Sequence, residues 1–344
     1  MSSSKKVKIS LQGLSKVFGN KAQAMLPYLE QGIDRATMLA KYNHVLALNN
    51  ITMDLHENSI EVIMGLSGSG KSTLIRHINR LIEPTAGKII VDNEDVCQFN
   101  KSQLRDYRRQ KTAMVFQNFA LLPHRNIIDN IAFGLKVQGK KEASIKELSN
   151  YWLERVGLEG FAQKYPAQLS GGMQQRVGLA RALACDADIL MLDEAFSALD
   201  PLIRADMQDM LLMLQQELHK TIVFITHDLD EALKLGDRIA ILNQGQLIQQ
   251  GNAQSILMHP ANDYVQKFAA DVSRVNILKV KAVMSKTIPA LTTQKIIHVR
   301  EEDTIKSVLH DFLSADAQYA LVLGADGQAK GCIDAGKLAQ IVNQ

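Results

Sequence analysis

The chain has little that would tie it to an oxidising compartment, a bilayer or a polyanion. Its three cysteines, Cys97, Cys185 and Cys332, are scattered without pairing or metal-ligand spacing, which favours a reducing compartment. A formal net charge of +3 over 344 residues is too slight to argue for nucleic acid or an anionic membrane surface. No uncharged apolar stretch approaches the ~20 residues needed to cross a bilayer. The opening Met1-Ser-Ser-Ser-Lys-Lys-Val-Lys lacks the apolar core of a secretion signal. Membrane work is therefore expected only through a partner. What remains is an ordinary globular composition, 46% hydrophobic and 22% charged, long enough for one large domain and a small one.

The stretch around which the rest is organised is Gly65-Leu-Ser67-Gly68-Ser69-Gly70-Lys71-Ser72-Thr73. It fits the phosphate-cradling pattern G-x-x-x-x-G-K-[ST]. Ile60 to Met64 before it suits a buried strand, and Leu74, Ile75, Ile78, Leu81 and Ile82 after it recur at helical spacing. Gly65, Gly68 and Gly70 let backbone N–H groups turn toward phosphate oxygens at a helix N-terminus. Lys71 is placed to reach the β- and γ-phosphates, and the Ser72 hydroxyl to ligate Mg²⁺.

Downstream, Leu169-Ser170-Gly171-Gly172-Met173-Gln174 sets a serine and two bare glycines at the start of a small-residue helix, a second anion-binding geometry. An N-cap followed by a turn reads the same stretch without a ligand. Ile189 to Leu192 is an apolar strand ending in Asp193 and Glu194, and strand C-termini are where α/β sheets place their chemistry. Asp193 suits Mg²⁺ held through water, completing the shell begun by Ser72, and Glu194 suits the general base toward attacking water. After Asp200, Pro201 opens a helix whose expected apolar face is Leu202, Ile203, Met207, Met210, Leu211, Leu214 and Leu218. Thr221 to Ile225 forms another buried strand, which brings His227 to the same sheet edge and toward the γ-phosphate.

Earlier, Val7 to Phe18 and Leu46 to Leu55 read as strands flanking an inserted helical element over residues 19–44. Gly87 to Val91 and the Asp92-Asn93 turn suggest a small hairpin. Ala113 to Phe116 is a strand candidate, and Ser144 to Val156 and Val177 to Ala184 are helical.

Taken together these residues resemble the nucleotide-binding subunit of an ATP-binding-cassette (ABC) transporter. The resemblance covers roughly Val7 to Phe268. It implies an α/β P-loop NTPase cassette with a RecA-like core, an antiparallel β subdomain and a helical subdomain at about 118–184. It makes Gln117 the lid-loop glutamine and a neighbour of the metal, and Ser170, Gly171, Gly172 and Gln174 the signature motif. Asp200 becomes the loop that lines a dimer interface, His227 the switch histidine and Phe18 the adenine-stacking aromatic. In that family two copies sandwich two ATP molecules head to tail and drive a membrane permease.

A narrower resemblance, to the ATPase subunits of glycine betaine/proline uptake systems, is carried by Ile63 to Thr73, Asn79 to Pro84, Ala113 to Gln117, Met191 to Arg204 and Ala261 to Val265. It implies import of a compatible solute with an integral permease and an extracytoplasmic binding protein, on the cytoplasmic face of the inner membrane and without nucleic acid. The expected domains are a cassette at 1–272 and, at 278–344, a small α+β cystathionine-β-synthase-type (CBS) module. The relatives carry such modules in pairs, and one is expected here. The alternatives are a motor for another small substrate, or a soluble ABC ATPase acting without a permease. The latter group generally has two cassettes, coiled coils or zinc sites.

Overall fold

The computed structural model describes residues 6–270, 275, 278–289, 295–324 and 326–342. Parts of the expected domain spans (1–5, 271–272, 290–294, 325 and 343–344) lie outside them. The chain divides into two compact units, 1–250 and 251–344.

The described residues of the first unit form ten strands. They are β1 Val7–Phe18, β2 Val45–His56, β3 Ile60–Met64, β4 Ala86–Val91, β5 Glu94–Asp95, β6 Thr112–Val115, β7 Ile189–Asp193, β8 Thr221–Thr226, β9 Arg238–Asn243 and β10 Gln246–Gly251. One sheet runs β10-β9-β3-β8-β7-β6, and the other β2-β1-β4-β5. β3, β7 and β8 are buried along their whole length, as their mostly apolar sequences require of parallel strands covered on both faces. The second sheet is antiparallel, pairing Ile9 with Leu55 and with Val91. The helix Lys71–Ile78 contributes Leu74, Ile75 and Ile78 to a single core. That core also takes Ile9, Leu11 and Leu14 from one sheet and Met191, Val223 and Ile225 from the other.

Leu81 and Ile82 do not extend that helix. The chain leaves it at Asn79, whose side chain accepts from Leu81 N, and Arg80 turns left-handed at φ +52°, leaving Leu81 exposed. The helix Pro201–Leu218 also departs from the expected apolar face. Met207, Leu211 and Leu214 are buried, while Leu202 is 73% exposed and Ile203, Met210 and Leu218 are half-buried. The buried stripe is thus narrower than the run of apolar residues, because one face of a helix takes only every third or fourth position.

Between β6 and β7 the helices Ile127–Val137, Glu142–Arg155 and Gly171–Ala184 pack together through Ile131, Leu135, Trp152, Val177 and Leu179. Between β1 and β2 lie a 3₁₀ turn, Ala22–Met25, and the helices Leu26–Glu30 and Arg35–Tyr42.

In the second unit the helices Ala253–Met258 and Asp263–Ala270 precede a three-stranded sheet of β11 Ile296–Arg300, β12 Tyr319–Leu323 and β13 Ala329–Asp334. β11 and β12 are parallel, joined through the helix Ile305–Ala315, and β13 returns antiparallel. Val308 and Phe312 of that helix, with Ala320 and Val322, are buried there. Among the described residues no helix is long and apolar enough to cross a membrane.

Candidate functional site

β3 delivers the glycine loop at its carboxyl end, and the loop opens directly into the helix Lys71–Ile78. Two of its glycines are sterically required. Gly65 sits at φ +152°, and a Cβ there would lie 2.2 Å from Leu242 O; Gly70 sits at φ +105°, and a Cβ would lie 2.8 Å from Ala47 O. Lys71 is buried and donates through Nζ to Gly65 O at 2.8 Å and Leu66 O at 3.2 Å. Ser69 Oγ is buried with no hydrogen-bond partner among the described residues, an unmet polar group of the kind an incoming oxyanion satisfies. Around the loop lies a cavity of about 460 Å³. Its walls include Phe18, Val45, Ser67, Lys71, Ser72 and Glu194, with Gly68, Gly70, Thr73 and Gln117 completing the expected set found there. The volume suits a nucleotide-sized ligand.

The neighbouring strands bring the acids to the same edge. Asp193, buried at the end of β7, accepts from Ser72 Oγ at 2.8 Å and from Arg76 Nη2 at 3.2 Å. Glu194 follows at φ +48°, a left-handed conformation costly for a residue with a side chain and often found where a site requires it. That turn aims its carboxylate back at the cavity. Oε1 lies 3.4 Å from Lys71 Nζ, and Oε2 lies 3.3 Å from Gln117 Nε2 and 3.7 Å from His227 Nδ1. Gln117, His227 and Glu194 therefore meet from the ends of three strands, β6, β8 and β7. Behind them Gln208 donates to Glu231 at 3.1 Å, and burial pushes the Glu231 carboxyl above its usual range.

Ser170, Gly171, Gly172 and Gln174 are not among the walls of that cavity. Ser170 caps the helix Gly171–Ala184 by accepting from Met173 N, and Gln174 Nε2 donates to Leu169 O at 3.2 Å. Ser170 and Gly172 line a separate hollow with Arg176 and Ile203. A Cβ on Gly172 would stand 2.6 Å from Ile203 Cγ2, so the glycine lets this tip approach the start of the helix Pro201–Leu218. Asp200 caps that helix, accepting from Ile203 N at 3.1 Å. Asp200 likewise stands outside the walls of the lysine cavity.

Three further residues join the site without a motif to announce them. Val45 and Ala47 enter because β2 pairs with β1 beside Phe18, a consequence of register. Arg35 arrives on the inserted helix and donates through Nη1 to Gly68 O at 2.9 Å. Phe18 is 41% exposed at the cavity rim, with Lys16 Nζ 4.9 Å from its ring centre. The 52 residues between it and Lys71 hold the inserted helices, β2, β3 and the glycine loop.

Comparison with known proteins agrees with this geometry. The ABC transporter family model matches residues 48–197. The glycine betaine transport ATP-binding protein OpuAA of Bacillus subtilis is 51% identical over 284 residues, covering 82% of this chain and 68% of that protein. The glycine betaine/proline betaine transport system ATP-binding protein ProV of Escherichia coli is 44% identical over 340 residues, covering 98% and 83%. A solved dimeric ATP-binding cassette in a post-hydrolysis state, bound to ADP and Pi, superposes with a TM-score of 0.61 at 30% identity. It covers 71% of this chain and 98% of that one. With its glycine loop, carboxylates and strand order all in place, the chain belongs to the ABC transporter ATP-binding proteins, in the branch that holds these glycine betaine transport subunits.

Proposed function

We propose that this ABC ATPase energises uptake of a compatible solute of the glycine betaine, proline or choline type, working as a pair of copies with a membrane permease and an extracytoplasmic binding protein. The observation that carries the reading is the meeting of Lys71, Ser72, Asp193, Glu194, Gln117 and His227 at one sheet edge, with Ser170 and Gly172 lining a different hollow. A triphosphate held by Lys71 lacks a cap from within its own cavity. A second copy, facing head to tail, supplies Ser170, Gly171 and Gly172 to it, and Asp200 lines the junction.

Lys71 exchanges its bonds to loop carbonyls for β- and γ-phosphate oxygens, and the loop N–H groups bind the rest of the chain. Phe18 stacks on the adenine. Glu194 takes the proton of the attacking water as general base, and its left-handed backbone fixes the carboxylate's aim. His227 and Gln117 hold that carboxylate from two sides. Ser72 Oγ, the Asp193 carboxylate and the Gln117 amide oxygen form an all-oxygen donor set that suits Mg²⁺. When bound, that ion neutralises charge developing on the phosphates. ATP favours the closed pair and its products do not, so hydrolysis reopens it.

Motion is passed to the permease through the segment after β6. Gln117 begins this segment, and Arg181 anchors it by donating to Phe119 O at 3.0 Å and Ala120 O at 2.8 Å. Beside it lies a groove of about 570 Å³ walled by Phe116, Leu122, Phe133, Val137, Arg105 and Arg109, suited to a short permease helix with an apolar face. The permease tether places the subunit on the cytoplasmic face of the inner membrane. The β-α-β-β-α order from β11 through the helix Ala335–Val342 supports reading residues 278–344 as a single CBS-like module.

Reconstitution with permease and binding protein tests the assignment. ATP consumption and uptake are expected to rise together with glycine betaine, proline or choline, and no ATP consumption with any of them would overturn it.

A further inference from the structure

We propose that Arg35, on the helix inserted between β1 and β2, binds the phosphate chain of the nucleotide as a second cation beside Lys71. This rests on the ATPase reading above. The insertion is a folded wall of the site. Met38 is fully buried against Val17 and Leu46, with Met25, Leu29 and Ile33 packed around it. The rings of Tyr28 and Tyr42 lie 4.7 Å apart. His44 ties the two ends of the segment, its Nδ1 at 2.5 Å from Tyr42 O and its Nε2 at 2.7 Å from Asn20 O. The helix carrying Arg35 is capped by Asp34, which accepts from Thr37 N and Thr37 Oγ1, both at 2.8 Å.

The guanidinium is directed from that wall into the cavity of Phe18, Gly68 and Lys71. It donates to one loop carbonyl, Gly68 O. Among the described residues no carboxylate pairs with it; Asp34 is engaged by Thr37, and Arg76, on the helix that follows the glycine loop, is paired with Asp193. A guanidinium has five donors in a planar fork matched to phosphate, and a phosphate oxygen is a stronger acceptor than a peptide carbonyl. The apolar part of the lining, Phe18, Val45 and Ala47, is left to the base. The insertion thereby gives this cassette an anion contact that the glycine loop does not contain.

The test is calorimetric titration of the purified full chain with ATP, and with adenosine in parallel. Arg35→Gln, which keeps a donor and loses the charge, is expected to weaken ATP binding about tenfold or more, the scale of one charged hydrogen bond. Arg35→Lys recovers part of that loss, and adenosine affinity stays as in the wild type. Adding salt weakens ATP binding less steeply in Arg35→Gln than in the wild type. ATP affinity in Arg35→Gln equal to wild type overturns the proposal. So does an equal loss for adenosine, which would place Arg35 on the base, or a lysine variant no better than glutamine. Wild-type protein that binds no ATP would instead overturn the ATPase reading itself.

Discussion

The sheet edge around Lys71 and the tip at Ser170, both proposed to hold phosphate, are finished to different degrees. At the sheet edge the key groups are partnered: Lys71 and Asp193 are buried, at 4% and 3% exposed, and the half-buried Ser72 and the exposed Gln117 and His227 each touch a carboxylate. At the tip Ser170 and Gly171 are exposed, and the serine hydroxyl caps its own helix. One region is a complete cradle that lacks a cover. The other, on the function proposed above, is a cover whose cradle lies on a second copy. A protein organised this way is expected to act only as a pair.

The comparison is tested most severely by the two residues that define it. Glu194→Gln should keep ATP binding and lower turnover by about 10²–10⁴, the usual contribution of a general base. Turnover like that of wild type, measured with permease present, would remove Glu194 from the chemistry. Ser170→Arg should lower hydrolysis at least tenfold, on the order of losing one charge-stabilising donor, while the isolated chain still binds ATP. A loss of nucleotide binding in the isolated chain would show that the tip serves its own cradle.

A smaller effect separates the regions by stability. Ile75→Ala, beneath the glycine loop and fully buried, should cost about 2–5 kcal/mol in denaturant unfolding of the chain. Leu202→Ala, beside the tip and mostly exposed, should stay within about 0.5 kcal/mol. Equal costs would mean that Leu202 is packed in solution.

The smallest effect is acid sensitivity beneath the loop. Burial holds His77 down at about 4, and its Nδ1 faces Thr73 O at 2.6 Å. The unfolded chain then binds the extra proton first, so stability present above about pH 6.5 declines as pH falls toward 4. His77→Gln should flatten the unfolding midpoint over that window, and an unchanged slope would assign the acid loss elsewhere.

The cradle was largely legible in the sequence because its parts are local. Gly65 to Thr73 needs only a strand before it and a helix after it, and Asp193 and Glu194 announce themselves by ending an apolar run. The buried strands were equally plain, since residues covered on both faces leave continuous apolar stretches. Less legible was which apolar residues stay outside: Leu81 and Leu202 fit the helical spacing, yet one follows a left-handed turn and the other faces away from the core. Arg35 carried no signal at all, because nothing in a polar helical insertion reveals which wall it will form.

Sequence alone thus determined the nucleotide chemistry and the family of this chain, because glycine geometry and carboxylate placement are written in short contiguous motifs. Only the tertiary structure decided how the pieces meet. Strand order brings Gln117, Glu194 and His227 to one point, and register sets Val45 beside Phe18. The packing of Met38 against Val17 and Leu46 swings an arginine onto Gly68. Such meetings depend on long-range packing, which no local spacing encodes.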